Sequence, residues 1–138
     1  MTMSGSSIGL SIIVPCLNEV DNVGRFIDRV AEINKSITIR YEILFVDGGS
    51  TDGTPMNIKT TAFKHKLNNL ISVITAGDSG FGYGHDIIYG LSTAKYDVLA
   101  WTHADLQTDI YDVFIAFDHF ISLNGMAEDI IIKGKRKS

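Results

Sequence analysis

The feature that most constrains the fold of this chain is the alternation of short apolar runs with longer segments of helical periodicity. The runs, rich in β-branched residues, are Leu10–Val14, Tyr41–Val46, Leu70–Ile74, Asp97–Thr102 and Asp129–Ile132. Because they are apolar at nearly every position, they predict strands that are covered on both faces. Strands that alternate with helices predict crossover connections, and therefore an α/β fold with a mostly parallel sheet flanked by helices.

The segments between these runs carry apolar residues at the spacing of helices. They are Val20–Ile33, Pro55–Leu67, His85–Ala94 and Asp109–Leu123. Asn18 and Asp21 are candidate caps for the first helix. The pattern predicts one domain over residues 10–138, preceded by a flexible leader rich in Ser and Gly at residues 1–9.

The charge balance argues against one class of partner. The 138 residues include 12 Lys and Arg against 16 Asp and Glu, which gives a net charge of −4. An acidic domain is poorly suited to neutralise the phosphates of a polynucleotide, so we expect no nucleic-acid partner. A phosphorylated small molecule would have to be bound through backbone amides, a metal ion or a few placed cations.

Cys16 is the single cysteine of the chain, which excludes an internal disulfide. The sequence offers no cation beside it, so we interpret it as a packed residue rather than a nucleophile. The first residues lack the pattern of a secretory signal, and no run approaches the roughly 18 apolar residues of a membrane helix. We therefore expect a cytoplasmic protein.

Polar residues and glycines cluster where the predicted strands end. In parallel α/β sheets, ligands bind beyond the carboxyl ends of the strands, so these residues are the candidate site. In chain order they are Asn18, Glu19, Asp47, Gly49, Ser50, Asp52, Gly80, Gly82, Gly84, His103, Asp105 and Gln107, and Pro15 belongs to the first of these segments. An acidic edge on an acidic domain indicates a divalent cation that bridges to a phosphate.

Asp105 is the most specific candidate for a metal ligand. If the fourth strand continues through this segment, His103, Asp105 and Gln107 share one face, because side chains alternate along a strand. Their imidazole, carboxylate and amide oxygen would suit Mg²⁺ or Mn²⁺. The alternative is that Asp105 or Asp109 caps the following helix. Trp101, within the fourth strand, is interpreted as a core residue.

Two further segments have a functional and a purely structural interpretation. The Asp47 carboxylate can accept hydrogen bonds from a nucleobase or a ribose. Alternatively, Asp47 and Asp52 bond the backbone of their own turn, as Asp residues in turns commonly do. The loop Gly80–Gly84 permits close approach of a phosphate at a helix start, or forms a flexible turn.

Taken in order, these segments resemble the inverting family 2 glycosyltransferases. The resemblance rests on Val14–Glu19, Val46–Thr54, Gly80–Gly90, His103–Gln107 and Gly134–Arg136. It implies a GT-A-like fold with a Rossmann-like nucleotide-binding half, and inverting transfer of a sugar from a nucleoside diphosphate. The Ala104–Gln107 segment is most similar to the polyprenyl-phosphate branch, typified by dolichyl-phosphate mannose synthase.

The resemblance also implies roles for individual residues. Nucleotide contacts would come from Pro15, Glu19, Asp47 and Asp52, the metal would be held by the catalytic Asp105 with Gln107 and His103, and Arg136 would approach the phosphates. His103 replaces the first Asp of the family's metal motif, which removes one carboxylate. The family's acceptor half has no counterpart in these residues. A lipid phosphate is one candidate acceptor, with membrane contact at the cytoplasmic face through that further part.

Two other functions stay open. A nucleotidyltransferase would use a related sheet, but the basic glycine-rich loop expected after its first strand is absent from the sequence. A non-catalytic nucleotide- or partner-binding module is favoured by His103 and by the missing acceptor half. A dinucleotide oxidoreductase is disfavoured because its glycines would follow the first strand.

Overall fold

The computed structural model describes residues 8–76, 82–123 and 130–134. The elements, in order, are β1 (Gly9–Cys16), α1 (Val20–Asn34), β2 (Arg40–Asp47), α2 (Thr54–Lys64), β3 (Ile71–Thr75), α3 (Tyr83–Thr93), β4 (Val98–Trp101) and α4 (Tyr111–Ser122). The sheet order is β3-β2-β1-β4, and every pairing is parallel. This confirms the predicted α/β fold with a parallel sheet flanked by helices.

Strand β1 is buried along its whole length and lies at the centre of the sheet. Ile12 packs into a core cluster that includes Phe26 of α1, whereas Ile13 packs on the other face with Leu44 and Val46. Each such fully buried side chain contributes about 1.5–3 kcal/mol relative to exposure. Covering both faces in this way explains why the run is continuously apolar rather than alternating.

Helix α3 packs against the sheet through Gly90. A Cβ atom at this position would lie 2.5 Å from Ile13 and 2.9 Å from Val46, which is closer than side chains tolerate. The absence of a side chain therefore lets the helix approach β1 and β2. This packing fixes α3, and with it the residues of its first turn, relative to the carboxyl ends of those strands.

Two predicted features differ in the structure. The described residues 130–132, expected in a fifth strand, form no strand, and Ile131 is 90% exposed; Asp129 lies outside the described residues. A strand requires a neighbour to pair its backbone groups, which local β propensity does not provide. Trp101 is exposed rather than buried, because β4 lies at the edge of the sheet.

Among the residues described, no helix combines the length and the apolar character needed to cross a bilayer.

Candidate functional site

The carboxyl ends of β1, β2 and β4 and the start of α3 enclose an open cleft of about 560 Å³. This is where a parallel α/β sheet binds its ligands, and pockets for small molecules commonly measure about 300–1,000 Å³. The predicted site residues that line the cleft are Pro15, Glu19, Gly82, His103, Ala104 and Asp105. The fold thus brings together segments that are far apart in the sequence.

The loops that follow β1 and β2 are fastened to each other through Asn18. The backbone N–H of Asn18 donates to Ser50 Oγ at 2.8 Å, and Asn18 Oδ1 accepts the N–H of Thr51 at 2.9 Å. Asn18 itself has a φ of 52°, in the left-handed region that Asn tolerates better than most residues. These bonds hold the two loops together as one wall beside the cleft.

The N-terminus of α1 is capped by the loop after β2. Glu19 is the N-cap residue, but its side chain makes no capping bond in the described part of the chain. Instead, the N–H of Val20 donates to Asp52 Oδ2 at 3.1 Å, which satisfies a donor that a helix start leaves without a partner. The prediction of a cap from Asn18 or Asp21 is therefore wrong.

Asp52 also bonds the start of α2. Its Oδ1 accepts the backbone N–H of Thr54 at 3.0 Å and, in addition, the Thr54 hydroxyl. The hydroxyl of Thr54 is the largest cause that lowers the pKa of the Asp52 carboxyl below its ordinary value, and the N–H of Val20 adds to it. One carboxylate thus joins two helix starts, which favours the structural interpretation of Asp52.

The Asp47 carboxylate is bonded by its own turn. Its Oδ2 accepts the N–H groups of Gly49 and Ser50, at 3.1 and 3.0 Å, and its Oδ1 accepts the Ser50 hydroxyl at 2.5 Å. Asp47 is buried, and Gly49 adopts a φ of 104° that suits glycine. The structure favours the alternative in which Asp47 shapes the turn.

The segment after β4 separates the three candidate metal ligands. His103 and Asp105 line the cleft, whereas Gln107 lines a separate cavity of about 240 Å³. The expected alternation fails because β4 ends at Trp101 and Leu106 adopts a φ of 65°, which turns the chain. Asp105 Oδ1 accepts the N–H of Gln107 at 3.1 Å, so Asp105 is placed by its own turn.

Asp109 anchors this segment to α1. Arg29 donates to both carboxylate oxygens of Asp109, at 3.0 and 2.9 Å, and the N–H of Tyr111 donates to Asp109 Oδ1 at 3.1 Å. The hydrogen bond from Arg29 is the main cause that lowers the pKa of the Asp109 carboxyl. The N-cap of α4 is Ile110, and Asp109, one residue before it, bonds the first residue of the helix.

Tyr83 and His103 connect α3 to the same segment. Their rings stack with centroids 5.4 Å apart and planes inclined by 16°, and the Tyr83 hydroxyl oxygen lies 3.0 Å from His103 Nδ1. Burial, and then the charge of Asp105, raises the pKa of Tyr83. The contact joins two sides of the cleft and fixes the orientation of the imidazole.

The donor atoms of His103 and Asp105 fit a cation that is shared with a ligand. Within residues 8–76, 82–123 and 130–134, no group of three His, Cys, Asp or Glu side chains could hold a metal ion by itself. Mg²⁺ is commonly bound through one or two carboxylates together with substrate phosphates. One carboxylate and one imidazole on the cleft wall fit such an arrangement, in which a diphosphate supplies the remaining oxygen ligands.

Several cleft residues were not singled out from the sequence. They are Leu17, Tyr83 and Asp86, and the cleft is also lined by Gly48, which follows the second strand, and by Cys16, which the sequence analysis interprets as a packed residue. Burial, followed by the charges of Asp47, Glu19, Asp86 and Asp52, raises the pKa of the Cys16 thiol to about 12, which supports a packing role. In the sequence, Asp86 is distinguished only as an acidic residue in the first turn of a helix. Exposed residues show the same feature, so the sequence does not indicate that Asp86 lines the cleft.

Three predicted site residues, Gly80, Gly84 and Arg136, are not among the described residues that line the cleft. Gly84 lies in the first turn of α3 and is exposed, near the cleft residues Gly82 and Tyr83 in sequence. Gly80 and Arg136 lie outside the described residues.

Comparison with known sequences identifies relatives over most of the chain. The family model described as glycosyl transferase family 2 matches residues 11–121. The dodecaprenyl-phosphate galacturonate synthase of Rhizobium johnstonii is 34% identical over 78% of this chain and 31% of its own length. The undecaprenyl-phosphate 4-deoxy-4-formamido-L-arabinose transferase of Yersinia pestis is 30% identical over 71% of this chain and 29% of its own length.

Solved structures resemble the fold. Mannosyl-3-phosphoglycerate synthase from Rubrobacter xylanophilus has a TM-score of 0.59 at 27% identity, over 74% of this chain and 32% of its own. Mannosyltransferase PcManGT from Pyrobaculum calidifontis, solved in complex with GDP-Man and Mn²⁺, has a TM-score of 0.57 at 26% identity, over 70% of this chain and 27% of its own. The chain therefore spans less than a third of these proteins. With its parallel sheet and its polar cleft at the strand ends, it belongs to glycosyl transferase family 2.

Proposed function

We propose that this chain is the donor-binding part of an inverting glycosyltransferase, which transfers a sugar from a nucleoside diphosphate to an acceptor. The observation that carries the proposal is the cleft at the carboxyl ends of β1, β2 and β4, where Pro15, His103 and Asp105 meet. The cleft has the size of a nucleotide site, and its donor atoms suit a cation bound together with a diphosphate. The nucleotide-sugar-binding domain comprises residues 10–138.

The reaction is a displacement at the anomeric carbon. The acceptor oxygen forms a bond to this carbon while the bond to the diphosphate breaks, and the nucleoside diphosphate leaves with the electron pair. A bound Mg²⁺ or Mn²⁺ supplies Lewis-acid stabilisation of the charge on that leaving group. Asp105 is the catalytic residue in this proposal, because it and His103 would hold the ion.

Other residues bind and orient the donor. Pro15, Glu19 and Ala104 contact the nucleotide from the cleft wall. Gly82, the N-cap of α3, has a φ of 107° and brings the start of that helix to the cleft, where its backbone contacts the donor. The residues that hold the adjoining loops in place for the nucleotide are Asn18, Asp47, Gly49, Ser50 and Asp52.

We further propose a polyprenyl phosphate as the acceptor, in lipid-linked glycan synthesis. The support is the names of the relatives, a dodecaprenyl-phosphate synthase and an undecaprenyl-phosphate transferase. A phosphate is already ionised at neutral pH, so its attack needs no general base. We assign acceptor binding, and work at the cytoplasmic face of the membrane, to a longer protein that contains this domain.

Titration calorimetry with UDP and GDP, each with and without Mn²⁺, tests donor binding. We expect at least one of these nucleotides to bind in the presence of Mn²⁺, and binding to weaken about tenfold or more in Asp105→Asn, since a charge-assisted contact is lost. Asp97→Asn, which changes an exposed acid before β4, is the matched control. If the folded chain binds neither nucleotide at millimolar concentration, or if both variants behave alike, the proposal is wrong.

A non-catalytic nucleotide-binding module is the second candidate. It is favoured by His103, since an imidazole replaces a carboxylate in the cleft, and by the lack of a three-residue metal cluster among the described residues. A full-length protein that contains this domain distinguishes the two. Release of nucleoside diphosphate from a nucleotide sugar, dependent on a polyprenyl phosphate and abolished in Asp105→Asn, supports the transferase. Binding without turnover supports the module.

A further inference from the structure

Asp86 is a buried carboxylate in the donor cleft. It lies in the first turn of α3, is 6% exposed, and lines the cleft together with Gly48 and Tyr83. Acidic side chains are seldom buried to this degree unless hydrogen bonds or a partner charge compensate the loss of water. The bonds of this carboxylate therefore indicate what it is built to contact.

The carboxylate retains capacity to accept hydrogen bonds. In the part of the chain that the structure describes, the donor bonded to it is His85 Nδ1, at the long distance of 3.4 Å from Oδ1. Two carboxylate oxygens offer about four acceptor positions. Asp47, the other buried acid near the strand ends, has three hydrogen bonds from Gly49 and Ser50. Of these two buried acids, Asp86 is the one available to a ligand.

Gly48, which follows β2, lets the Asp86 carboxylate lie close to the backbone. A Cβ atom at Gly48 would lie 3.0 Å from Asp86 Oδ2, closer than most real contacts. Oδ2 therefore lies against the backbone at the end of β2, on the floor of the cleft. Cys16 lies close enough for the charge of Asp86 to raise the pKa of its thiol. The carboxylate is thus held between β1, β2 and α3.

The chemistry of this position selects uncharged donors. Two further carboxylates, those of Glu19 and Asp105, line the same cleft. A diphosphate without its cation would be repelled here, whereas N–H and O–H groups would be attracted.

We propose that the Asp86 carboxylate accepts a hydrogen bond from the nucleoside part of the donor, from a ribose hydroxyl or from a ring N–H of the base. The inference rests on the proposed function and names one residue that sets its nucleotide specificity. The diphosphate end of the donor lies at Asp105 and His103, and the nucleoside end lies at Asp86. Removing a hydrogen-bonding partner from a buried group usually costs much of the discrimination between ligands.

The protein side of the test compares Asp86→Asn and Asp86→Ala with Asp112→Asn. Asp112 is also an acid in a first helical turn, that of α4, but it is exposed, so this control matches the interaction with the helix dipole. The probes are UDP, GDP and inorganic pyrophosphate, each with Mn²⁺, measured by calorimetry. We expect about tenfold or greater weakening of the bound nucleotide in Asp86→Ala, a smaller loss in Asp86→Asn, and unchanged binding of pyrophosphate.

The ligand side of the test uses the unchanged protein, and so does not depend on the folding of a variant. The 2′-deoxy analogue of the bound nucleotide removes a ribose donor, and the analogue methylated at the ring N–H removes a base donor. We expect one of the two to bind about tenfold more weakly, and this identifies the source of the hydrogen bond. The affinity of the protein for that same analogue should be unchanged by Asp86→Ala, because the hydrogen bond is already absent.

The outcomes separate this inference from the function on which it rests. If UDP and GDP both fail to bind the unchanged protein, the proposed function fails and the inference fails with it. If a nucleotide binds and both Asp86 variants bind it as Asp112→Asn does, only the inference is overturned. Equal weakening of pyrophosphate and nucleotide, or full additivity of the analogue and Asp86→Ala, also overturns it.

Discussion

Asp52 Oδ2 accepts the backbone N–H of Val20 at 3.1 Å, although the two residues are 32 positions apart in the chain. The bond joins the loop after β2 to the first residue of α1. It is one of a series that includes the contacts of Asn18 with Ser50 and Thr51. The wall of the donor cleft is therefore built from two loops that support each other.

Asp52→Ala is expected to lower the midpoint of thermal unfolding by a few degrees, because donors at the starts of α1 and α2 lose their acceptor. Since its hydrogen bonds lower the pKa of Asp52 in the folded state, its stabilisation is fully present above the ordinary pKa of Asp. It is lost as the pH falls through the lowered value. Urea unfolding between pH 3 and about pH 7 should show the two proteins converging on the acid side.

Asp21→Ala is the control for this comparison. Asp21 is also in the first turn of α1 and is exposed, but it does not form the cap. A loss of stability in Asp21→Ala as large as in Asp52→Ala would contradict the assignment of the cap.

Cys16 is expected to resist alkylation in the folded protein. Its thiol is buried, it donates to the carbonyl oxygen of Val46 at 3.7 Å, and burial is the main cause that raises its pKa to about 12. At pH 8 the reactive thiolate is therefore scarce. Because raising the pKa from 9.0 to about 12 lowers the thiolate fraction at pH 8 about a thousandfold, the rate with iodoacetamide should be lower by roughly that factor in buffer than in denaturing urea. Equal rates in the two solvents would show that the thiol is accessible.

Gly90→Ala is expected to destabilise the protein by about 1–3 kcal/mol, the usual cost of forcing extra volume into a packed core. The added methyl group would meet side chains of Ile13 and Val46 at 2.5 and 2.9 Å. The measurement is urea unfolding followed by circular dichroism.

Gly84→Ala in the same helix is the matched control. Among the described residues, no atom lies within 4 Å of a Cβ placed there, so replacing a helical glycine should instead stabilise by roughly 0.5–1 kcal/mol. The packing of α3 on the sheet is refuted if both substitutions change the free energy of unfolding in the same direction.

The motifs at the strand ends could be located from the sequence, but the bonds of their side chains could not. Asp47, Asp52 and Asp105 follow predicted strands, and the carboxyl ends of parallel strands meet at one edge. Asp47 and Asp105 accept from the backbone of their own turns, whereas Asp52 also accepts from a distant segment. Asp52 shows this most clearly, since one of its donors belongs to α1.

Gln107 and Asp86 also show that tertiary structure decides which side chains line the cleft. Gln107 was predicted there and lies elsewhere, whereas Asp86 was not predicted and lines the cleft. Gln107 was expected beside Asp105, but the left-handed backbone of Leu106 directs the chain so that Gln107 lines another cavity. Asp86 was not singled out, yet the packing of α3 through Gly90 buries it in the cleft. A local sequence pattern depends only on residues that are close along the chain. The position of Gln107 and the burial of Asp86 also depend on the path of the backbone and on packing.

The sequence by itself determined the order of the four strands and four helices that the structure describes, because continuous apolar runs and helical periodicity act through local geometry and burial. It also indicated the family, and it placed the polar motifs at the edge of the sheet where the structure has its cleft. Only the tertiary structure decided which polar groups face the cleft. The physical reason is that hydrogen bonds such as that of Asp52 with Val20 form between segments brought together by folding, so their donors and acceptors are paired in space and not along the chain.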